Sequence, residues 1–282
     1  MLKVLKQARA AFGMLNPEEM RRRAAQDIHI GLVASTDAGY QRLEEFLVPS
    51  ELPGEARFAM LARVHRATDA AVPPQVDLVL YESGVRPHQG AFTLDAHAPH
   101  ETAAAILHAH GDLSLPLARN FPGFRRAVVD RTIQAVAREN ALFAIAAALP
   151  NIVPSLIELP WTFGEFASDT VFLTANQVRM AFLVAAAHGC EVGFAHQKAA
   201  IGTIVAAAFG WRALARELVG KIPLGGGLIP KGAIAYAGTF AVGKGLDRLY
   251  ANQPFTREEH RTVYEQAYQQ GIEVARAAHK RA

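Results

Sequence analysis

The sequence predicts two fold classes in one chain: a small parallel α/β domain, followed by an all-α domain built as an alanine-rich apolar helical bundle. Three observations carry this. Strand-like and helix-like runs alternate in the first part of the chain; alanine, glycine and large apolar residues dominate from Ala141 to Leu249; and no repeat of fixed period is visible. The expected division is 1–26 basic N-terminal helices, 27–120 the α/β domain, 121–250 the apolar helical domain, and 251–282 an amphipathic C-terminal helix.

Composition narrows the function classes. With 282 residues, 51% of them hydrophobic, the chain can build a sizeable core, which excludes a disordered or fibrous protein. The 29 basic and 26 acidic residues leave a formal charge of +3, too slight to argue for a nucleic-acid partner. A single cysteine, Cys190, excludes a disulfide scaffold and a cysteine-based zinc module, and points to the reducing, cytoplasmic side. Lysines alternate with apolar residues over Met1–Lys6, and no long apolar run with a small-residue cleavage site follows, so a secretory signal is not expected.

The elements follow in order. Asn16-Pro17-Glu18-Glu19 reads as a helix start, with an N-cap oxygen, proline at the first helical position and acids at the positive helix end; this helix carries Arg21, Arg22 and Arg23. Asp27–Ala34 is a β-branched apolar run, hence a buried strand. After Ser35–Gly39 a helix is expected, with Leu43, Phe46 and Leu47 on one face. Gly54–Ala71 reads as a second helix stopped by Pro73-Pro74, Val76–Tyr81 as a second strand, Gly84–Ala98 as a loop, and Glu101–His110 as a helix ended by Gly111.

From Phe124 the period is helical, with Val128, Val129, Ile133, Val136 and Ala137 on one face. Ala141–Ile157 carries no charge but is interrupted by Pro150 and Pro154, so a helix entering a dry environment should turn there. Further apolar helices are expected at Thr170–His188, closed by Gly189, at Ala199–Leu218, and at Gly232–Leu249. Thr256-Arg257-Glu258-Glu259 matches a capping box that opens the polar C-terminal helix.

A strand, a short loop and a helix early in an α/β domain is the setting of a phosphate-binding loop. That loop needs a first glycine, four residues, then Gly-Lys-Ser/Thr to cradle phosphates, neutralise them and hold magnesium. The window here is Ala34-Ser35-Thr36-Asp37-Ala38-Gly39-Tyr40-Gln41. Gly39 is kept, while Ala34, Tyr40 and Gln41 replace the first glycine, the lysine and the hydroxyl, and Asp37 adds an acid. The domain therefore reads as a degenerate P-loop-like parallel sheet without the positioning and charge stabilisation that phosphoryl transfer requires. No asparagine is followed by lysine, so the guanine-reading Asn-Lys-x-Asp is absent; Glu82-Ser83-Gly84 reads as a solvated strand end or a vestige of a magnesium-holding turn.

Other constellations point weakly to chemistry. His97, His100, His108 and His110, with Asp95 and Glu101, are zinc-type ligands, but His108 and His110 face different sides of a helix. Asn176, Gln177 and Arg179 sit among Val171, Phe172, Leu173, Met180, Phe182 and Leu183, and such groups need partners; they read as an internal network or one solvated helix face, with a ligand site as the alternative. Ser155 and Ser168 lack a nucleophile signature, and Cys190 sits beside Glu191, which does nothing to lower a thiol pKa. No catalytic, cofactor-binding or metal-binding residue is assigned, and no cofactor is expected.

No charge-free run reaches the roughly 18 residues of a plain membrane span. Yet Ala233, Ala237, Ala241 and Gly245 recur at four-residue spacing as in membrane bundles; Lys221, Lys231 and Lys244 suit an interface; and Lys3, Lys6, Arg9 and Arg21–Arg23 suit an anionic leaflet. Membrane association and a soluble alanine-rich bundle both stand as readings.

Leu173–Met180, Ala185–Gly189, Trp211–Arg216, Ile222-Pro223 and Lys231–Thr239 together resemble the bacterial domain-of-unknown-function family number 697, over roughly Phe121–Tyr250. The resemblance implies an apolar helical module of unassigned biochemical role, in some members embedded in the inner membrane, often following an Era-like GTPase domain. The N-terminal half then looks like a worn relative of that GTPase partner, departing from it at Ala34, Tyr40 and Gln41. The expected function is a non-catalytic scaffold on the cytoplasmic side, associated with the inner membrane or binding a partner: an unidentified protein, a lipid surface or a second copy of the chain. The alternatives are a residual GTP- or ATP-binding switch and a soluble helical interaction module.

Overall fold

The computed structural model describes residues 15–67, 75–147, 169–204 and 227–279. The chain divides into two compact units: Arg21–Asp130 with Ala186–Gly189, and Met1–Met20 with Arg131–Ala185 and Cys190–Ala282. The division at Asp130/Arg131 falls inside a helix rather than at the expected boundary after residue 120, and the expected separate C-terminal helix belongs to the second unit.

The first described helix, α1 (Pro17–Ala24), starts as its cap residues require: Asn16 Oδ1 accepts the Glu19 N–H at 3.1 Å. Strand β1 (Ile30–Val33) is buried at all four residues, as befits a parallel strand covered on both faces. Helix α2 (Asp37–Leu47) follows and buries Gly39, Leu43 and Leu47. The four strands are all parallel, in the order β2-β1-β3-β4, with β2 at Val64–Arg66, β3 at Leu78–Tyr81 and β4 at Phe92–Thr93. Ile30 of β1 pairs with both Val64 and Leu78, and Val33 with Tyr81.

Two expectations fail in this unit. The helix expected over Gly54–Ala71 forms as α3 (Gly54–Leu61) and ends there, Val64–Arg66 joining the sheet instead, while residues 68–71 lie outside the described residues. Local propensity is overridden by what β1 offers: Ile30 N–H donates to Arg63 O and Ala67 N–H to Leu32 O, while Arg66 makes a two-pronged pair with Glu44 at 2.6 and 2.8 Å and lies over the Tyr40 ring. The expected loop at 84–98 contains β4, whose two residues are too few to leave a periodic signal and are fixed by the edge of β3.

Helix α4 (Pro99–Ala109) ends one residue before His110, and Gly111 opens a 3-10 turn (Gly111–Leu113) instead of capping the helix. Helix α5 (Ser114–Asn120) leads to α6 (Pro122–Ala146), whose proline sits at the first helical position. Gly123 lets α6 start against the end of α2: a Cβ there would lie 1.9 Å from Phe46 O.

The helical unit contains the rest of α6, α7 (Asp169–Ala187), α8 (Leu228–Tyr250) and α9 (Arg257–His279). Gly189, at φ +78°, closes α7 as the sequence predicts. The capping box of α9 forms in both directions: Thr256 N–H donates to Glu259 at 2.8 Å and Glu259 N–H to Thr256 Oγ1 at 3.2 Å. Ala137 and Ala141 of α6, Tyr236, Ala237 and Ala241 of α8, and Tyr264 and Ala267 of α9 make one buried cluster. The turn expected near Pro150, the remainder of the helix expected to Leu218, Lys221, and the basic residues before Leu15 lie outside the described residues.

The small residues of α8 are consumed by this packing. A Cβ on Gly232 would meet Ile145 at 2.8 Å, one on Gly243 would meet Ile133 at 2.7 Å, and one on Gly271 of α9 would meet the Ala233 backbone at 2.9 Å. Among the described residues no helix is long and apolar enough to cross a membrane.

Candidate functional site

The loop between β1 and α2 is built by the helix start. Thr36, in extended backbone, accepts the Gly39 N–H on its Oγ1 at 3.0 Å, and Asp37 lies at the positive helix end. From the neighbouring strand, Glu82 N–H donates to Val33 O at 2.9 Å, which carries the β1–β3 pairing one residue past Tyr81 and sets Glu82 beside the loop. Gly84, at φ +93°, completes the tight turn behind it, where Val85 N–H donates to Glu82 O at 3.1 Å.

The Glu82 carboxylate is 8% exposed and fully engaged. Its Oε2 accepts the Ser35 N–H at 3.0 Å and the Ser35 hydroxyl at 3.1 Å, and its Oε1 accepts the Arg42 guanidinium. The Ser35 backbone N–H above all, with the Ser35 hydroxyl and Arg42, holds the carboxyl below the ordinary glutamate range. Gly39 makes room for it: a Cβ there would sit 2.3 Å from Glu82 Oε2. Donors of the kind a phosphate loop offers an anion are thus satisfied by a side chain of the same chain.

Tyr40 and Gln41, read from sequence as replacing a phosphate loop's lysine and hydroxyl, do other things. The Tyr40 phenol donates to Ala67 O at 3.0 Å under the Arg66 guanidinium, and Gln41 is exposed. Glu82, read from sequence as a strand-end acid, is the residue that organises the loop. Its signal lay in the register: once Val33 is set opposite Tyr81, residue 82 must neighbour Ala34.

In the helical unit the three polar residues of α7 do form one network. Asn176 Nδ2 donates to Asn140 Oδ1 at 2.9 Å and to Glu139 Oε2 at 3.0 Å. Arg179 Nε donates to Asn176 Oδ1 at 2.9 Å, and its terminal nitrogen pairs with Glu139. Asn140 Nδ2 and Gln177 Nε2 both donate to Thr239 Oγ1, at 2.8 and 3.2 Å. The network ties α6, α7 and α8 across a core where Phe143 and Phe172 stack at 3.8 Å. Burial draws the Arg179 guanidinium below its usual value, and Glu139 opposes this. Glu139, Asn140 and Thr239 carry no local motif; only the helix packing brings them to Asn176.

No family model, curated protein or solved structure matches the chain. The resemblance to the family number 697 is an expectation carried by five segments of the sequence. Of these, Leu173–Met180 lies in α7 and Lys231–Thr239 in α8, while Trp211–Arg216 and Ile222-Pro223 lie outside the described residues.

The remaining candidates are dispersed. His97, His100 and His108 are exposed, and His110 packs edge-on to Phe92 at 5.7 Å. Asp95 is occupied by the turn before α4, where its Oδ1 accepts the His97 and Ala98 N–H groups. Among the described residues no three or more His, Cys, Asp and Glu side chains are grouped to hold a metal ion. Cys190 is half-buried, and Ser155 and Ser168 lie outside the described residues. An apolar cavity of about 270 Å³ opens in the helical unit between Ile204, Leu246, Leu249, Phe255 and His260, with Leu249 half exposed.

Proposed function

We propose that the chain is a non-catalytic, partner-binding scaffold whose sheet unit is a degenerate P-loop-like domain that holds its form without nucleotide. The observation that carries this reading is the Glu82 carboxylate seated on the Ser35 N–H, the Ser35 hydroxyl and Arg42. A triphosphate placed on the same donors would meet a buried negative charge, with no lysine or magnesium-binding hydroxyl to offset it. The resemblance to an Era-like GTPase followed by an apolar helical module agrees with a nucleotide fold turned to structural use.

Partner binding is favoured by the helical unit. Of its alanine and glycine stripe, Ala233 and Ala237 are buried inside the unit, whereas Ala241 and Gly245 line the apolar cavity beside half-exposed Leu249, which suits an apolar side chain of a protein partner. A position on the cytoplasmic side, at the inner membrane or away from it, and self-association belong to the same proposal.

Thermal melting of the full chain in millimolar GTP or ATP with magnesium tests it. Ligand at a hundred times Kd adds about 2.7 kcal/mol to the native state, a rise of several degrees for a chain of this size. No shift is expected; a saturable rise supports the nucleotide switch instead. Flotation with anionic vesicles separates the two positions: co-flotation of the full chain supports one at the inner membrane, and failure to float supports one away from it.

A further inference from the structure

We propose that Asp27, His29 and His65 form a proton-counting latch that fastens the edge strand β2 to β1 near neutral pH and releases it in mild acid. The proposal is independent of the Glu82 loop. His29 immediately precedes β1, and His65 lies in β2 opposite Gly31. Their rings are 5.1 Å apart at the centroids; His29 Nδ1 and His65 Nε2 are 2.8 Å apart, and His29 Nε2 is 3.2 Å from Asp27 Oδ2.

Proton occupancy follows from the partners. Asp27 Oδ1 accepts from Arg63 Nε at 2.8 Å, and this contact above all keeps the Asp27 carboxyl below its ordinary value, so it is ionised and can only accept. His29 Nε2 must then carry a hydrogen. In the neutral ring His29 Nδ1 is bare, and His65 Nε2–H is the donor to it. One further proton from solvent makes one ring an imidazolium and still leaves a donor facing an acceptor, with the charge balanced by Asp27. A second further proton puts N–H against N–H across 2.8 Å and sets two cations beside Arg63.

Among the described residues no other carboxylate pairs with either ring. Asp77 faces the same strand end, but its Oδ2 accepts the His29 backbone N–H at 2.8 Å, and its own N–H donates to His29 O at 2.8 Å. Strand β2 spans only Val64–Arg66 and has a single strand neighbour among the described residues; the Arg63–Asp27 pair holds the chain just before it and the Arg66–Glu44 pair its last residue.

The test uses the full-length chain labelled with 15N. At pH 7.5 long-range imidazole correlations should show hydrogen on Nε2 of both His29 and His65. Hydrogen exchange is then followed at the Ile30 and Ala67 amides, which bridge β1 and the β2 segment, and corrected for intrinsic rates. Protection should fall on the order of tenfold between pH 7.5 and 5.0. In His65→Gln, whose amide can donate or accept without gaining charge, protection should not depend on pH over that range. Flat protection in the unaltered chain, Nδ1–H forms of both rings at pH 7.5, or the same acid loss in His65→Gln would each overturn the latch.

Discussion

Gly39 and Glu82 share one volume: the space a side chain on Gly39 would fill is taken by the Glu82 carboxylate, 2.3 Å from where that Cβ would lie. A glycine inside the first turn of a helix costs stability, and this one leaves room for an internal anion.

The sign of Gly39→Ala should therefore depend on residue 82. Alone, the substitution drives the carboxylate off Ser35 and Arg42 and lowers the urea midpoint. In Glu82→Ala the obstacle is gone, and Gly39→Ala should stabilise by up to about 1 kcal/mol from helix propensity. A double-mutant cycle that gives additive effects contradicts the contact.

Glu82 also sets an acid dependence. Its folded pKa lies below the ordinary 4.5, so the carboxylate binds fewer protons folded than unfolded. Its contribution is present above the unfolded value and is lost as pH falls from about 4.5 through the lower folded value. Glu82→Gln should melt lower than the parent at pH 6, and the gap should narrow below pH 4. A constant gap at all pH values excludes this origin.

Arg179→Ala strands Glu139 and Asn176, of which Asn176 is fully buried. The expected loss is about 2–4 kcal/mol in chemical denaturation, because one partner of a largely buried pair is removed and the other kept. Combining Arg179→Met with Glu139→Leu should recover much of that loss, since both charges then leave together. A loss under about 0.5 kcal/mol for Arg179→Ala means that the network is solvated.

Gly271→Ala pushes a methyl group against the Ala233 backbone, where no side chain can turn aside. Despite the gain in helix propensity, a net loss of about 1–3 kcal/mol is expected from forced separation of α8 and α9. A higher melting temperature for this variant shows that the two helices do not approach as closely as the structure has them.

Elements with a local code were legible. The Asn16 and Thr256 caps and Gly189 after α7 each have a backbone-scale cause, and each is where the residues place it. The strands β2 and β4 were not, because Val64–Arg66 and Phe92–Thr93 are too short for a period and take their conformation from a neighbour far along the chain. The site divides the same way. Tyr40 and Gln41 announce what the loop lacks, but Glu82 as its occupant follows only from the parallel register of β1 and β3.

By itself the sequence determined that a small α/β unit precedes apolar helices, that the loop after the first strand carries neither lysine nor hydroxyl at residues 40 and 41, and that Asn176, Gln177 and Arg179 need partners. Those are properties of composition, periodicity and hydrogen-bonding capacity, which each residue carries with it. Only the tertiary structure decided that Glu82 fills the loop, that Glu139, Asn140 and Thr239 answer the polar residues of α7, and that His29 meets His65. These pairings join residues tens of positions apart, and their partners are chosen by strand register and helix packing, which no local window contains.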